Sequence, residues 1–250
     1  MKILMIDIET APNLAHVWGM FNQNIGTNQI QASGYTLCWA AKWYKKKGVM
    51  FDSVFASDEN KMIRGAWDLL NQADAVVHYN GTRFDVPTLN KDFLRAGILP
   101  PEPYKQIDLL QTVRRQFRFP SNKLSEVLKQ LGMQEKVQHK GHELWTECMA
   151  RDPAAWRQME RYNRRDVAVT EKLYVKLLPW IENHPNYGLY VNATRPVCTK
   201  CGSWQITRQG TKRTKTMVYR QYHCKVCGSW SSERLNNTKL SVKRSLLVAA

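Results

Sequence analysis

The chain has 250 residues, of which 43% are hydrophobic, and its 37 Lys and Arg residues against 21 Asp and Glu residues give a formal charge of +16. This length and apolar content are typical of a globular protein with one large domain, or with one domain and a small module. The charge favours anionic partners, above all the phosphates of nucleic acid, although charge alone does not identify the partner. No apolar run is long enough to span a membrane, and the apolar start is broken at Asp7 and Glu9, too early for a signal peptide. We therefore expect a cytoplasmic protein of a bacterium or of a virus in its host.

The first half of the chain predicts strands, followed by alternating helices and strands. Alternating apolar residues indicate the strands, and apolar residues on one helical face indicate the helices. The predicted elements are strands at 2–8, 35–44 and 49–55, a helix at 59–73, a strand at 75–78 and a helix at 87–96. The second and third strands flank a basic, turn-prone stretch, which predicts a hairpin beside the first strand.

The middle of the chain predicts helices, and its end has a different composition. The predicted helices cover 107–117, 123–131, 143–150 and 153–179, the last with Asp152 as its N-terminal cap. From Arg195 onward there are twelve Lys and Arg residues and one acidic residue, so this part holds +11 of the total charge of +16. We therefore predict a large domain at 1–190, a small module at 191–235 and a basic tail at 236–250.

Two acidic residues end the first predicted strand. Side chains two residues apart in a strand project from the same face, so Asp7 and Glu9 place two carboxylates side by side. Two anions that converge on one place repel each other unless a cation lies between them or solvent separates them. The pair is therefore either part of a cation site or the solvated edge of a strand.

Further candidates for the same site lie downstream. Asp85 follows a Gly-containing loop and precedes a Pro-started helix, so it can hold a cation or cap that helix. Tyr162 and Asp166 lie four residues apart, which places a phenol and a carboxylate on one helical face. As an isolated pair they fit equally well a packed Tyr and an Asp that pairs with Arg164 or Arg165.

The order of these motifs is more specific than any one of them. DIET, NGTRFDVPTL and YNRRD resemble, in that order, the three exonuclease motifs of the DEDD superfamily, in the subgroup whose third motif is Tyr-x-x-x-Asp. That subgroup includes the proofreading domains of family A and B DNA polymerases, ribonuclease D and the Werner-type exonucleases. The likeness covers about residues 1–180, and the second motif is most similar to the family B polymerase exonucleases. It implies an α/β fold with an RNase H-like mixed sheet flanked by helices.

The resemblance also implies a chemistry. Asp7, Glu9, Asp85 and Asp166 would hold two Mg²⁺ or Mn²⁺ ions, which hard oxygen ligands suit better than they suit zinc. Two ions about 4 Å apart stabilise the charge on the attacking and leaving oxygens of a phosphodiester. Asp7 would contact both ions, Glu9 and Asp166 would complete the water-activating site, and Asp85 would help to hold the second ion. Tyr162 would orient the water, and the implied activity is 3′-5′ exonuclease release of nucleoside monophosphates.

The sequence indicates the substrate less clearly than it indicates the reaction. The polymerase-like second motif favours DNA, with single-stranded ends as substrate and a replication or repair protein as partner. Ribonuclease D shares the four acids and the Tyr, so the chain could instead be an exoribonuclease. A third alternative is that it is no enzyme but a nucleic-acid-binding adaptor whose nuclease site is vestigial. Asp108, His139 and His142 match no catalytic motif; Asp108 can cap a helix, and the two His residues fit surface or packing positions.

Two repeated cysteine pairs lie near the end of the chain. Each pair has the form C-x-x-C followed by Gly-Ser-Trp, and a candidate hairpin at 205–208 and 217–222 flanks a turn at 210–216. Two such pairs complete a tetrahedral thiolate site, so they predict a zinc ribbon around one structural Zn²⁺. Disulfides are the alternative, which a reducing compartment disfavours. The predicted zinc ligands are Cys198, Cys201, Cys224 and Cys227.

Cations and aromatic residues are interleaved around these cysteines. Cations can follow phosphates and aromatic rings can stack on bases, although some rings must also build the small core. The candidate nucleic-acid contacts are Lys200, Trp204, Arg208, Lys212, Arg213, Lys215, Arg220, Lys225 and Trp230.

Overall fold

The structure is a computed structural model that describes residues 1–133, 141–191 and 193–247. The chain divides into two compact units, a larger unit of residues 2–174 and a smaller unit of residues 175–250 together with Met1. In the described ranges, no helix combines the length and the apolar character that crossing a membrane requires.

The larger unit is built on a mixed five-stranded sheet. The strands of the larger unit are β1 Ile3–Thr10, β2 Leu14–Ala15, β3 Ile30–Ala32, β4 Thr36–Trp43, β5 Met50–Ser53, β6 Ala75–His78 and β7 Lys105–Asp108. Of these, β2 and β3 form a separate two-stranded sheet. The strand order is β5-β4-β1-β6-β7, with β1 antiparallel to β4 and parallel to β6. The predicted strands and the hairpin beside β1 are confirmed, and so is the mixed α/β class.

Six helices accompany this sheet in the described part of the larger unit. They are α1 Glu59–Asn71, α2 Asp85–Arg95, α3 Leu109–Gln116, α4 Leu124–Gln130, α5 His142–Met149 and α6 Pro153–Leu177. The helix predicted from residue 107 was wrong at its start, because Ile107 and Asp108 belong to β7 and the helix begins at Leu109. Pairing with β6 along four residues overrides the helical spacing of so short a segment.

Two apolar clusters, one on each face of the sheet, fix the direction of the β1 side chains. Leu4, Ile6 and Ile8 pack with residues of α1 and α2, whereas residues of α5 and α6 pack over β4 in a separate cluster. Because strand side chains alternate, Asp7 and Glu9 point away from the first cluster and towards the helices α5 and α6. The carboxylate pair therefore lies on the face that the C-terminal helices of this unit cover.

The smaller unit contains a three-stranded antiparallel sheet. Its strands β8 Ile206–Arg213, β9 Val218–Cys224 and β10 Trp230–Ser232 lie in the order β10-β9-β8, and a helix α7, Leu240–Ser245, follows. The predicted hairpin forms, but the turn predicted at 210–216 was wrong in position. Gly210, with φ +69°, lies at a bulge inside β8, and the tight turn is closed by a hydrogen bond from the Thr214 N–H to the Met217 carbonyl, 2.8 Å long. The third strand was not predicted.

Candidate functional site

The sequence-predicted acids meet where the parallel strands β1, β6 and β7 end. Asp7 and Glu9 lie in the C-terminal half of β1, and Asp85 is the first residue of α2, which follows the loop after β6. Tyr162 and Asp166 lie one turn apart on α6. Three distant parts of the larger unit therefore contribute to one site.

Asp7 is held by a side chain that the sequence motifs did not indicate. Asn163, which is fully buried on α6, donates a hydrogen bond of 2.6 Å from Nδ2 to the Asp7 carboxylate. The same nitrogen lies 3.4 Å from the Asp7 backbone carbonyl. The amide group thus fixes the rotamer of Asp7 and ties α6 to β1. Asn163 directly follows Tyr162, but no periodicity of the sequence distinguishes it from a surface amide.

Asp85 reaches across to the first strand. It is 4% exposed, and its Oδ1 accepts a hydrogen bond of 3.1 Å from the Ile8 N–H. The pairing of β1 with β6 ends at Met5 and Val77, so the backbone of β1 beyond that point is open to a side-chain partner. The N-cap of α2 is Phe84, without a side-chain cap, and the carboxylate of Asp85 instead bridges to β1.

Glu9 and Tyr162 complete the arrangement. The Glu9 carboxylate accepts a hydrogen bond from the side chain of Trp145 on α5, and the ring of Trp145 lies edge-on to that of Tyr162 at 6.1 Å between centroids. The Tyr162 hydroxyl is hydrogen-bonded to Asp166, as expected of residues four apart on a helix. Arg165 lies 3.8 Å from Asp166, whereas Arg164 pairs with Glu160 at 2.7 Å.

Repulsion within the cluster adds to burial in raising the pKa values of Asp7 and Glu9. Burial and then repulsion from Asp85, Glu9 and Asp166 raise the pKa of Asp7 well above its usual value, against the hydrogen bond from Asn163. Burial, followed by repulsion from Asp166 and Asp85, raises the pKa of Glu9 to about 8. Burial also raises the pKa of Asp85 to about 7. A buried cluster of like charges is stable only when protons or cations compensate it.

The phenol of Tyr162 belongs to the same electrostatic field. Burial, followed by the charges of Asp166, Glu9 and Asp7, raises the pKa of Tyr162 above its usual range. The phenol therefore stays protonated, and it can donate one hydrogen bond while its oxygen accepts another.

The carboxylate oxygens of this site suit divalent cations that prefer oxygen ligands, such as Mg²⁺ and Mn²⁺. Four carboxylates can roughly neutralise two divalent ions, and their oxygens favour hard cations over zinc. The thiol of Cys38 lies beside Asn163, and burial raises its pKa well above the usual value, so it stays protonated rather than offering a thiolate to zinc. Among the described residues, the four cysteines are the one group of three or more His, Cys, Asp or Glu side chains whose ligand atoms all lie within 4.8 Å of one another. Among the residues that the structure describes, no three of the four carboxylates meet this spacing.

A buried network supports the loop that carries Asp85. Asp108 accepts hydrogen bonds from the Leu110 N–H at 3.0 Å, which caps α3 as predicted, and from the Asn80 N–H at 2.9 Å. His78 accepts from the Gly81 N–H at 3.0 Å, and a Cβ at Gly81 would lie 2.4 Å from the His78 ring. The loop can therefore pass over His78 only with glycine at this position. His142 is exposed at the start of α5, and His139 lies outside the described residues.

The four cysteines form the second candidate site. Their sulfur atoms lie 3.5 Å apart between Cys198 and Cys227 and 3.6 Å apart between Cys201 and Cys224, and none is in a disulfide. A tetrahedral zinc with Zn–S bonds of about 2.3 Å places its sulfurs about 3.8 Å apart, so the cluster fits the ion closely. A hydrogen bond from Cys198 lowers the pKa of the Cys227 thiol to about 4, which provides a first thiolate ligand. The cluster can bind zinc.

The cations and rings predicted around the cysteines occupy several positions in the smaller unit. Arg208, Lys212 and Arg213 are exposed along β8, Lys215 is exposed in the turn that follows, and Lys225 is exposed between the second pair of cysteines. Three others have partners. Lys200 donates to the Pro179 carbonyl at 2.7 Å, Arg220 lies 3.8 Å from Glu233, and the ring of Trp230 lies 4.9 Å from that of His223. Trp204 is 45% exposed beneath the guanidinium of Arg195.

Comparison with known proteins agrees with this fold. A sequence model described as RNase_H superfamily matches residues 24–178, which is more than half of the chain. The chain belongs to the RNase H superfamily. The matched region contains Asp85, Tyr162 and Asp166, whereas Asp7 and Glu9 precede it. A search among curated proteins found no matching sequence.

A solved structure shows the same fold. The chain is similar, with 21% identity and a TM-score of 0.55, to the family B DNA polymerase from the hyperthermophilic archaeon Pyrobaculum calidifontis. The match covers 71% of this chain but 24% of the polymerase chain. RNase H-like nucleases use divalent metals, and the superfamily membership, with the carboxylate cluster, supports a nuclease that acts on nucleic acid.

Proposed function

We propose that this RNase H superfamily protein is a metal-dependent 3′-5′ exonuclease that hydrolyses DNA at single-stranded ends. The observation that carries the proposal is the convergence of Asp7, Glu9, Asp85 and Asp166: burial raises the pKa of the first three, and a bound cation would relieve the repulsion in this cluster. The order of the three motifs supports the exonuclease class. The polymerase-like second motif supports DNA rather than RNA as the substrate, and the likeness to a family B DNA polymerase supports a partner in replication or repair.

In this proposal, Asp7, Glu9, Asp85 and Asp166 would hold two Mg²⁺ or Mn²⁺ ions, with Asp7, Glu9 and Asp166 forming the water-activating site and Asp85 helping to hold the second ion. Bound there, the ions would supply the Lewis acidity that stabilises charge on the attacking and leaving oxygens. Asn163 keeps the Asp7 carboxylate in place by its hydrogen bond of 2.6 Å. Trp145 does the same for Glu9, and its indole excludes water from one side of that carboxylate.

Tyr162 orients the attacking water. Its hydroxyl hydrogen bonds to Asp166, so a lone pair of the phenol oxygen is available to accept a hydrogen bond from water at the carboxylates. Because the raised pKa keeps the phenol protonated, Tyr162 positions the water without taking its proton.

The decisive experiment is hydrolysis of an oligonucleotide that carries a label at its 5′ end. Labelled single-stranded DNA, duplex DNA and RNA are incubated with the protein in Mg²⁺ or Mn²⁺, and the products are resolved as a ladder. We expect stepwise shortening of single-stranded DNA from the 3′ end, and Asp7→Ala should reduce it by at least about 1,000-fold, which is about 4 kcal/mol of activation free energy. The matched control is Asp68→Asn, which changes an exposed acid on α1. Strand binding without products would point to an adaptor, and preferred cleavage of RNA would point to an exoribonuclease.

For the smaller unit, we propose that the four cysteines bind one structural Zn²⁺ and that the exposed cations nearby contact nucleic acid. A closed set of four thiolates leaves no position for a substrate, which supports a structural role for the ion. Exposed arginines and lysines along β8, together with the half-exposed Trp204, are the elements of a surface for single-stranded nucleic acid.

A further inference from the structure

A basic segment of the larger unit, residues 114–123, is separate from the carboxylates. It contains Arg114, Arg115, Arg118 and Lys123, and there is no Asp or Glu between residues 109 and 125. The side chains of Arg114, Arg118 and Lys123 are exposed. Within the described ranges, none of these three pairs with a carboxylate. These three side chains thus concentrate positive charge that no described carboxylate pairs with.

The segment is attached to the edge of the sheet at which the acids meet. The hydroxyl of Tyr79, the first residue after β6, donates a hydrogen bond of 2.6 Å to the carbonyl of Asn122. The next residue, Asn80, is bonded through its N–H to Asp108 at the end of β7. The same short loop then leads to Asp85. Tyr79 therefore joins the basic segment to the loop that carries one of the four carboxylates.

Arg114 approaches the same residue from the end of α3. Burial, with a contribution from Asp108, raises the pKa of the Tyr79 phenol to about 12, and the charge of Arg114 opposes that shift. The guanidinium is therefore near the phenol whose oxygen is bonded to Asn122. Both ends of the basic segment, Arg114 and the residue pair Asn122–Lys123, lie beside Tyr79.

Interaction with a helix dipole explains the position of some of these cations but not of all of them. Arg114 and Arg115 are in the last turn of α3, where cations interact favourably with the helix dipole, and Arg118 contacts the Arg114 carbonyl at a long 3.5 Å. Lys123, in contrast, lies at the start of a helix. It is the N-cap residue of α4, makes no side-chain capping bond, and places a positive charge at the end of a helix that prefers negative charge. Glu126 supplies the acidic residue of that first turn, so the exposed charge of Lys123 is available to an external anion.

We propose that the basic segment 114–123 binds the phosphate backbone of the single-stranded nucleic acid whose 3′ end lies at the four carboxylates. The inference rests on the proposed function, because it assigns a path to the strand that this site cleaves. Arg114, Arg118 and Lys123 provide the phosphate contacts, and the exposed guanidinium groups suit bidentate contact with phosphate oxygens. Phosphate contacts position a strand without reading its sequence.

The test measures strand binding and cleavage separately. The variants are Arg114→Ala, Lys123→Ala and the double variant of the full chain. The matched control is Lys46→Ala/Lys47→Ala, which removes two exposed charges from the β4–β5 turn at the opposite end of the sheet. Binding of a fluorescent single-stranded oligonucleotide is followed by anisotropy in Mg²⁺-free buffer over a range of salt concentrations. Hydrolysis is followed with the same oligonucleotide and with p-nitrophenyl thymidine 5′-monophosphate, which is too short to reach the segment.

We expect each single substitution to raise the dissociation constant and the KM for the oligonucleotide by about 3- to 10-fold, with kcat unchanged. The slope of log K against log salt should fall by about 0.7 for each phosphate that the variant no longer neutralises. Hydrolysis of the small ester should not change, and the control should behave as wild type. Unchanged affinity and salt slope in a folded double variant would overturn the inference. If the wild-type protein cleaves neither substrate, the proposed function fails, while the binding data still decide whether the segment holds the strand.

Discussion

The carboxylate site and the cysteine site both gather like groups, but they differ in what supports them. The acids are placed by elements of a large apolar core, and Asn163, Trp145 and the Ile8 N–H hold them individually. The cysteines belong to a unit in which, between residues 198 and 247, only Cys198, Cys224 and Ser229 are fully buried. The first site can therefore form without a bound ion, whereas the second has little besides a bound ion to keep it folded.

The largest expected effect concerns the cysteine site. Cys198→Ser should abolish binding of zinc, and because structural zinc contributes about 10 kcal/mol or more to folding of such modules, the three-stranded sheet should unfold. Zinc content by elemental analysis and limited proteolysis of the smaller unit would show the loss. Affinity for single-stranded DNA should fall, while hydrolysis of p-nitrophenyl thymidine 5′-monophosphate should persist.

Lys225→Ala is the matched control for that variant, because Lys225 is exposed between two of the cysteines and offers no ligand to the metal. It should retain zinc and resist proteolysis. Loss of ester hydrolysis together with zinc in Cys198→Ser would contradict the independence of the two sites.

The next effect concerns the water-orienting phenol. Tyr162→Phe should lower kcat by about 100-fold, because positioning of a nucleophile by one hydrogen bond contributes rates of that order. The affinity for Mn²⁺, measured by titration calorimetry, should stay near the wild-type value, since the phenol is not a ligand. Tyr104→Phe is the control, because this half-buried phenol packs with the core cluster on the other face of the sheet. A wild-type kcat in Tyr162→Phe would remove that residue from the mechanism.

The smallest effect is on stability and depends on pH. The folded-state pKa values of Asp7, Glu9 (about 8) and Asp85 (about 7) are raised, so the folded protein binds more protons than the unfolded chain below these values. The folded protein therefore loses stability as pH rises from the pKa of the carboxyl groups in the unfolded chain, about 4, through their pKa values in the folded protein. Without Mg²⁺ or Mn²⁺, Asp7→Asn should exceed wild type in free energy of unfolding by about 1 kcal/mol or more at the alkaline end of this range.

Urea unfolding of wild type and Asp7→Asn at several pH values, with zinc retained, measures this difference. The difference should shrink towards acidic pH and reverse when Mg²⁺ is added, because the cation stabilises only the intact cluster. A constant difference across the pH range would mean that Asp7 is not under electrostatic strain.

Local patterns in the sequence predicted much of this molecule. The strand at 75–78, the long helix from Pro153 and the two C-x-x-C pairs are set by neighbouring residues, and each is found where it was predicted. β7 was missed because its four residues become a strand only by pairing with β6. The acids were selected through their motif order, and the structure brings them together; their metal-binding roles remain predictions.

The supporting contacts could not be predicted, because they join residues far apart in the chain. Asn163 and Asp7 are separated by 156 residues, and Asp85 and Ile8 by 77. Trp145 has the spacing of an ordinary core residue of α5, so nothing in the sequence indicates its bond to Glu9. Such partners depend on the sheet order and on the face that each helix covers.

The bond from Ile8 to Asp85 also governs how an inactive form of this protein should be made. An alanine at position 85 would remove a proposed metal ligand and would also leave the buried Ile8 N–H without its acceptor, which costs about 1–3 kcal/mol of stability. Asparagine would remove the charge but keep an oxygen that accepts from the Ile8 N–H. For trapping a substrate complex, Asp85→Asn is therefore the substitution that separates loss of chemistry from loss of stability.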